Sequence, residues 1–332
     1  MTEPEALLLL PRLRVQNANA ISSPLTWGFP SPSAFTGFAH ALHRDLHAEL
    51  DLELDGVAIV CHEFEPQAST PSGRRNRVFH LTRNPITRDG KTASFVEEGR
   101  TNLTVSLLIG VCGAGLYSGT PLETIAGRAY RAACSRRLAG GSILESTSPS
   151  TWREVPELHL WPGTDEECRA FNKRLARRLL PGFALVSREA LLDQHWQSLR
   201  GAAPGATLLA ALLDLSGLNI EPTSPGSPAA DGGPLPEKVQ WVVRRRTGWL
   251  VPIAAGYAAL SDLYDPGAVR NARDRTVPFR FVEGMYTVGQ WLSPHRVEDL
   301  RHLLWFHDAD SPAGVYRWTT PHFAKLTDQE GN

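Results

Sequence analysis

The sequence predicts an α+β fold in the split βαβ, or ferredoxin-like, order. Three observations carry this. Through residue 143 the candidate elements run strand, helix, strand, strand, helix and then a further extended run. Both helices have apolar residues at helical spacing on one face, and residues 103–111 alternate apolar and polar with period two. Such a fold lays an antiparallel sheet on two helices and is used by RRM-type RNA binders. The RRM signature, with its glycine and aromatic strand, is absent, so simple RRM membership is not supported.

Taken in order, residues 6–16 begin as a leucine run and pass into alternation, with Leu13 and Val15 facing one way and Arg12 and Arg14 the other. After a Pro/Ser-rich loop at 20–30, Ser31 caps a helix and Pro32 takes its first position. Phe35, Phe38, Ala39, Leu42 and Leu46 then share one face on the way to Leu50. Asp55-Gly56 is read as the end of this unit, and 57–64 as a strand, buried at first and then half exposed. The basic stretch 72–92 carries Pro-Ser-Gly, Asn-Pro and Asp-Gly turn signals around a short extended run at 78–82. It predicts a projecting hairpin arm at about 72–95. Strand 103–111 follows. Helix 121–137 places Leu122, Ile125, Ala126, Ala129 and Ala133 on one face and its arginines on the flanks, and it runs into Gly140-Gly141 and another candidate strand.

Beyond residue 160 the pattern changes. Thr164 and Glu167 form a capping box for a helix stopped by Pro181, Ser187 caps another through Leu199, and 207–216 makes a third, closed by Gly217. The expected organisation is a first domain over 1–160 that includes the arm, a helical insert over 161–220, and a flexible linker over 221–238 rich in Pro, Gly and Ser. A β-rich part over 239–332 then completes the fold. It opens with a hairpin of 241–243 against 249–253. Its aromatics, Trp291, Trp305, Phe306, Tyr316, Trp318 and Phe323, are expected to offer a partner surface, as is the acidic stretch 45–65.

The 332 residues carry 34 basic against 35 acidic side chains, a formal charge of −1, which on its own argues against a nucleic-acid binder. Placement argues the other way. Residues 45–65 hold seven acids and no Lys or Arg, whereas 66–96 hold Arg74, Arg75, Arg77, Arg83, Arg88 and Lys91 against Asp89 alone. Further acid-free clusters lie at Arg128, Arg131, Arg136 and Arg137, at 169–178, and at Lys238 with 244–246. Segregated charge of this kind gives a nearly neutral chain local fields that hold a polyanion, although a solvated helix face accounts equally for any one cluster. Of the 34 basic residues 30 are arginine, which reflects either a GC-rich genome or the fork geometry that suits phosphate.

No transmembrane-length apolar run or signal peptide is read, and the chain is expected to be cytoplasmic. Cys61, Cys112, Cys134 and Cys168 have neither disulfide nor zinc spacing and are expected as buried or half-buried thiols. Walker, GxGxxG, HExxH and GxSxG motifs are missing. GVCGAG at 110–115 reads as a strand-ending turn, since no acidic residue follows at dinucleotide-binding distance. His40, His43 and His47 share a helix face that is read as a solvated polar stripe rather than a metal site. No metal, cofactor or catalytic group is called for.

Several segments together carry a family resemblance. LLLLPRLRVQNANAISSPLTWGFPSP at 7–32 closely resembles the N-terminus of the second Csy protein family of type I-F CRISPR systems. RLLPGFALVSREALL at 178–192, RNARDR at 270–275, WLSPHRV at 291–297 and YRW at 316–318 resemble it too, so the likeness covers nearly the whole chain. The resemblance implies a RAMP-superfamily subunit with a modified RRM-like fold and a projecting thumb. It further implies a non-catalytic role in an antiviral surveillance ribonucleoprotein. There the chain pairs with the large Csy subunit, holds the 5′ handle of the CRISPR RNA beside a filament of backbone subunits, and meets target DNA through the assembled complex. Gly140-Gly141 matches the glycine-rich loop of that superfamily.

On that footing the candidate RNA contacts are Gln16, Asn17 and Asn19 with Trp27 for bases, and Arg136, Arg137, Gly140, Gly141 and Ser142 for the backbone. Arg270, Asn271, Arg273 and Arg275 are candidates for either, and Arg74, Arg75, Arg77 and Arg83 belong to the arm read as the thumb. Trp27 reads equally as a core plug, and Arg270 to Arg275 as partners of Asp274. The rival function is a metal-independent nuclease that processes repeat RNA, with His40 and His43 as acid and base.

Overall fold

A computed structural model describes residues 3–83, 85–145, 152–222, 239, 241–244, 246 and 248–323, the side chain of Arg83 excepted. The first half comprises β1 (Ala6–Asn19), α1 (Pro32–Leu50), β2 (Glu53–Pro66), an arm with β3 (Ala68–Ser69), β4 (Val78–Phe79), β5 (Leu81–Arg83) and β6 (Phe95–Glu97), then β7 (Arg100–Cys112), α2 (Leu122–Cys134), β8 (Arg137–Leu138) and β9 (Gly141–Leu144). There follow β10 (Glu157–Leu160), α3 (Asp165–Arg178), β11 (Phe183–Ser187), α4 (Glu189–Ala202), α5 (Leu208–Ser216), β12 (Ile220–Pro222), β13 (Trp241–Val243), β14 (Trp249–Ala259), β15 (Val282–Leu292), β16 (Phe306–Asp310) and β17 (Val315–Thr319).

One antiparallel sheet of eleven strands runs β16-β17-β14-β15-β11-β2-β7-β1-β9-β8, with β10 also on β1. At its centre lies the order β2-β7-β1-β9, in which α1 and α2 cross over and each crossover skips one strand. The leucine run explains its own lack of alternation. Leu8 and Leu10 pack under α1 and α2 with Phe35, Leu42, Ile125 and Ala129, while Leu7 and Leu9 pack on the opposite face against Phe171 and Leu175 of α3. A strand covered on both faces has no polar side to alternate with. A register shift between Leu10 and Leu13, with Arg12 at φ 47°, then marks where this cover ends. Past it, Leu13 and Val15 stay buried under the helices, but Arg14 and Gln16 emerge into solvent.

The α1 signals act as read: Ser31 accepts from the Ser33 N–H at 3.3 Å, Pro32 sits in the first turn, and Asp51 closes the helix in the left-handed conformation. The predicted arm is the tip of the β2–β7 hairpin, stiffened by the β3–β4 and β5–β6 ladders. GVCGAG does end β7: a Cβ on Gly115 would fall 1.8 Å from the Leu50 carbonyl oxygen, so the backbones touch there.

Four expectations need correction. Asp55-Gly56 does not end a unit, because β2 begins at Glu53; the pair forms a bulge where Gly56, at φ +74°, lets the Phe306 ring approach to 2.6 Å of a would-be Cβ. Residues 161–220 are not helical throughout, because β11 is inserted in the sheet between β15 and β2. Five buried residues between two well-capped helices gave no periodicity by which to recognise it. Residues 241–243 pair with β12, not with 249–253; β14 pairs β15 and β17 instead. The C-terminal aromatics largely build core. Trp305 and Phe306 are buried, and the Trp305 indole donates to the Leu185 carbonyl at 2.7 Å while its main chain bridges Val57. Tyr316 and Trp318 stay half-buried. Most of the expected linker, 223–238, lies outside the described residues.

Candidate nucleic-acid interface

The β1–β9 ladder brings together two segments more than a hundred residues apart. Gln16 lies opposite Ser142, and the Asn19 N–H donates to the Ala139 carbonyl at 2.8 Å. Between β8 and β9, Ala139 (φ 50°) and Gly140 (φ 78°) make a two-residue turn of the kind that needs positive φ twice. Gly141 is required by closeness: a Cβ there would meet Gln16 O and Val15 Cγ1 at 2.7 Å and Ala18 N at 2.8 Å. This turn forms one wall of a groove of about 630 Å³. Asn19, Arg136, Arg137 and Gly140 line that side, and Ser31, Ser33 and Gly37 at the start of α1 line the other, with Tyr257 at the rim. No acidic residue occupies the first turn of α1, so the positive end of the helix dipole faces the groove uncancelled from within that turn.

The two arginines differ. Arg136 donates through Nε and Nη2 to both carboxylate oxygens of Asp45, which raises its already high pKa. Arg137 donates only to the Gly140 carbonyl, at 3.2 Å. Of the amides, Asn19 is committed to its own loop, donating to Ile21 O at 2.7 Å and accepting from Ile21 N at 3.1 Å. Asn17, at φ 57°, accepts from Gln67 Nε2 at 2.6 Å and keeps its amide nitrogen for another acceptor. Gln16 opens onto a dimple that it shares with Glu63 and Glu65, where the two carboxylates oppose phosphate and favour a base edge. Trp27 is no core plug: it is 48% exposed and stands edge-on to Phe79 at the root of the arm, 5.2 Å between centroids.

The remaining basic candidates stand apart on two projections. Arg74, Arg75 and Arg77 are exposed on the arm; the Arg83 side chain lies outside the described residues. Arg270, Asn271, Arg273 and Arg275 are exposed on the long loop joining β14 to β15. Asp274 does not take these arginines. Its carboxylate accepts from Thr276 N at 2.8 Å and Oγ1 at 2.6 Å, bonds that hold its pKa below the ordinary value. Among the described residues, these six arginines form no ion pair. Other clusters are neutralised: Arg244 and Arg246 close on Asp214, and buried Arg178 binds Glu157 and the Val155 carbonyl.

The histidines have local duties. His43 Nδ1 accepts from the Leu54 N–H at 3.1 Å, and burial together with His47 and His40 lowers its pKa. Among the described residues, no three His, Cys, Asp or Glu side chains converge on a metal position. Sequence reasoning passed over a buried network. Ser106 Oγ accepts from the Arg12 N–H at 2.9 Å and donates to His62 Nε2 at 2.6 Å, and His62 Nδ1 donates to the Pro181 carbonyl at 2.6 Å. Burial, reinforced by nearby Arg12, depresses the His62 pKa. Ser106 is fully buried, so this serine–histidine contact fastens the sheet to the turn after α3 and has no room for a substrate.

The family model for CRISPR-associated protein (Cas_Csy2) matches residues 8–318, which takes in the groove, the arm and the basic loop. The chain belongs to the Cas_Csy2 family. It is 58% identical over 325 residues to the CRISPR-associated protein Csy2 of Pseudomonas aeruginosa strain UCBPP-PA14, covering 98% of each chain. The Csy2 likeness of the opening motif therefore extends across the whole chain. Among the described residues, no helix is long and apolar enough to cross a membrane. Ser31, Ser33 and Tyr257 are the groove residues that sequence reasoning missed as contacts; only Ser31 carried a signal, as a helix cap.

Proposed function

We propose that this Csy2-family chain is a non-catalytic subunit of a CRISPR RNA-guided surveillance complex, and that it holds the 5′ handle of the CRISPR RNA together with the large Csy subunit. The β1-α1-β2-β7-α2-β9 unit then serves as its RRM-like RAMP module. One observation carries the reading. A positive-φ turn, an arginine with unused donors and the start of a helix enclose one groove beside outward-facing amides.

In this reading Arg137, the turn amides and the α1 terminus take phosphates, while Gln16 and Asn17 address base edges and Trp27 stacks. The arm and the 270–275 loop clasp RNA or the neighbouring backbone subunit. Guide pairing, not this chain, reads the target DNA. The test is capture of labelled handle RNA at moderate salt by Arg136→Ala/Arg137→Ala. Two lost phosphate contacts weaken capture roughly 10- to 30-fold, and unchanged capture sinks the assignment.

A further inference from the structure

A second cavity, of about 650 Å³, adjoins the groove. Trp27, Phe64, Phe183 and Trp249 form its walls, and Trp291 lies at its floor. These are large aromatic side chains, yet Trp249 is 55% exposed, Trp27 48%, Phe183 46% and Phe64 38%. Contiguous exposed aromatic surface of this kind marks a binding site. No Asp, Glu, Lys or Arg lines the cavity, so its occupant is an uncharged, flat or apolar group. Its polar neighbours are electrically silent as well: burial pushes the Cys61 thiol up to about 12 and the His62 imidazole down.

The two cavities share a wall. Ser22, Pro30 and Ser31 line both the apolar cavity and the basic groove. An occupant reaching from one to the other must put negative charge and a neutral aromatic ring within a few ångströms of each other. Single-stranded nucleic acid does this at every nucleotide. The wall also holds its shape before any ligand arrives. Ser22 and Ser23 hydroxyls bond Thr26 at 2.8 and 2.6 Å, Phe79 props Trp27, and Phe183 stands edge-on to Trp249 at 5.3 Å between centroids.

We propose that this cavity receives one unstacked base of the bound RNA, stacked on Trp249 and Phe183, while the adjoining phosphates lie in the groove. The proposal deepens the handle-binding reading and rests on it. The specific claim is new: one nucleotide is turned out of the path of its neighbours and read by shape.

The test is a double-mutant cycle on the full chain with handle RNA made abasic at one position at a time. Loss of the stacked base weakens binding about 5- to 150-fold at a single position. Trp249→Ala removes that position-specific penalty, and Trp249→Phe restores most of it; both sit on a half-exposed strand end, and thermal melting checks their folding. If RNA still binds in an Arg137-dependent way but no abasic position couples to Trp249, the base-pocket proposal falls and handle binding stands. If the chain captures no RNA, both fall. If Trp249 crosslinks to a neighbouring protein subunit in the assembled complex and never to 4-thiouridine RNA, the cavity is a protein dock and the proposal is overturned.

Discussion

The six unpaired arginines make a quantitative prediction about salt. For single strands, each phosphate neutralised by a basic side chain contributes about 0.7 to the fall of log affinity with log salt. Arg270, Arg273 and Arg275 are exposed, and Asp274, the nearest carboxylate in sequence, is engaged by Thr276, so all three charges are available. Replacing all three with alanine should make the salt slope shallower by about 2, so that each doubling of salt costs the unaltered chain about fourfold more binding than the variant. Fluorescence anisotropy of labelled handle RNA across a salt series measures it. Arg244→Ala/Arg246→Ala is the control, because those guanidiniums already face Asp214, and it should leave the slope unchanged. Equal slopes for the triple variant and the unaltered chain refute the claim that this loop meets the RNA backbone.

Further expectations concern the groove and its support. Gly141→Ala sets a Cβ against two backbone atoms that cannot yield and should destabilise by about 1–3 kcal/mol in denaturant melts, with loss of RNA capture. Gly140→Ala meets open space and costs only about 1 kcal/mol through its positive φ; the reverse ranking would contradict the turn described here. The His62 pKa is depressed by folding, so the unfolded chain takes up the proton first. Stability is full above the ordinary histidine pKa of about 6.5 and falls as pH drops below it, by up to about 1.4 kcal/mol per pH unit from this group. His62→Gln should flatten that slope between neutral and mildly acidic pH, and an unchanged slope would show that the network does not carry it. Repeat RNA incubated with the purified chain without metal should stay intact; specific cleavage abolished by His43→Ala would favour the nuclease reading.

Local signals made much of the fold legible. The α1 face, its Ser31-Pro32 start and the Thr164 cap on α3 are all short-range physics, and all hold. What was lost is what only long-range packing decides. Five residues of β11 carry no period, and the Asp55-Gly56 signal means a bulge only because Phe306, 250 residues on, comes to fill the space. The same holds at the interface. Residue type and resemblance marked the amides at 16–19 and the glycines at 140–141, but their meeting depends on the β1–β9 ladder. That Arg136 is spent on Asp45 and Arg246 on Asp214, while Arg270 to Arg275 stay unpaired, could not be read from charge runs, because the partners are distant in sequence.

RNA–protein crosslinking with mass spectrometry on the assembled complex, using handle RNA carrying a photoreactive base at each position in turn, tests the central proposal most directly. Handle nucleotides should crosslink to peptides spanning residues 16–27 and 136–142, the two sides joined by the β1–β9 ladder. Crosslinks confined to other subunits, or to parts of this chain away from the groove, would contradict it.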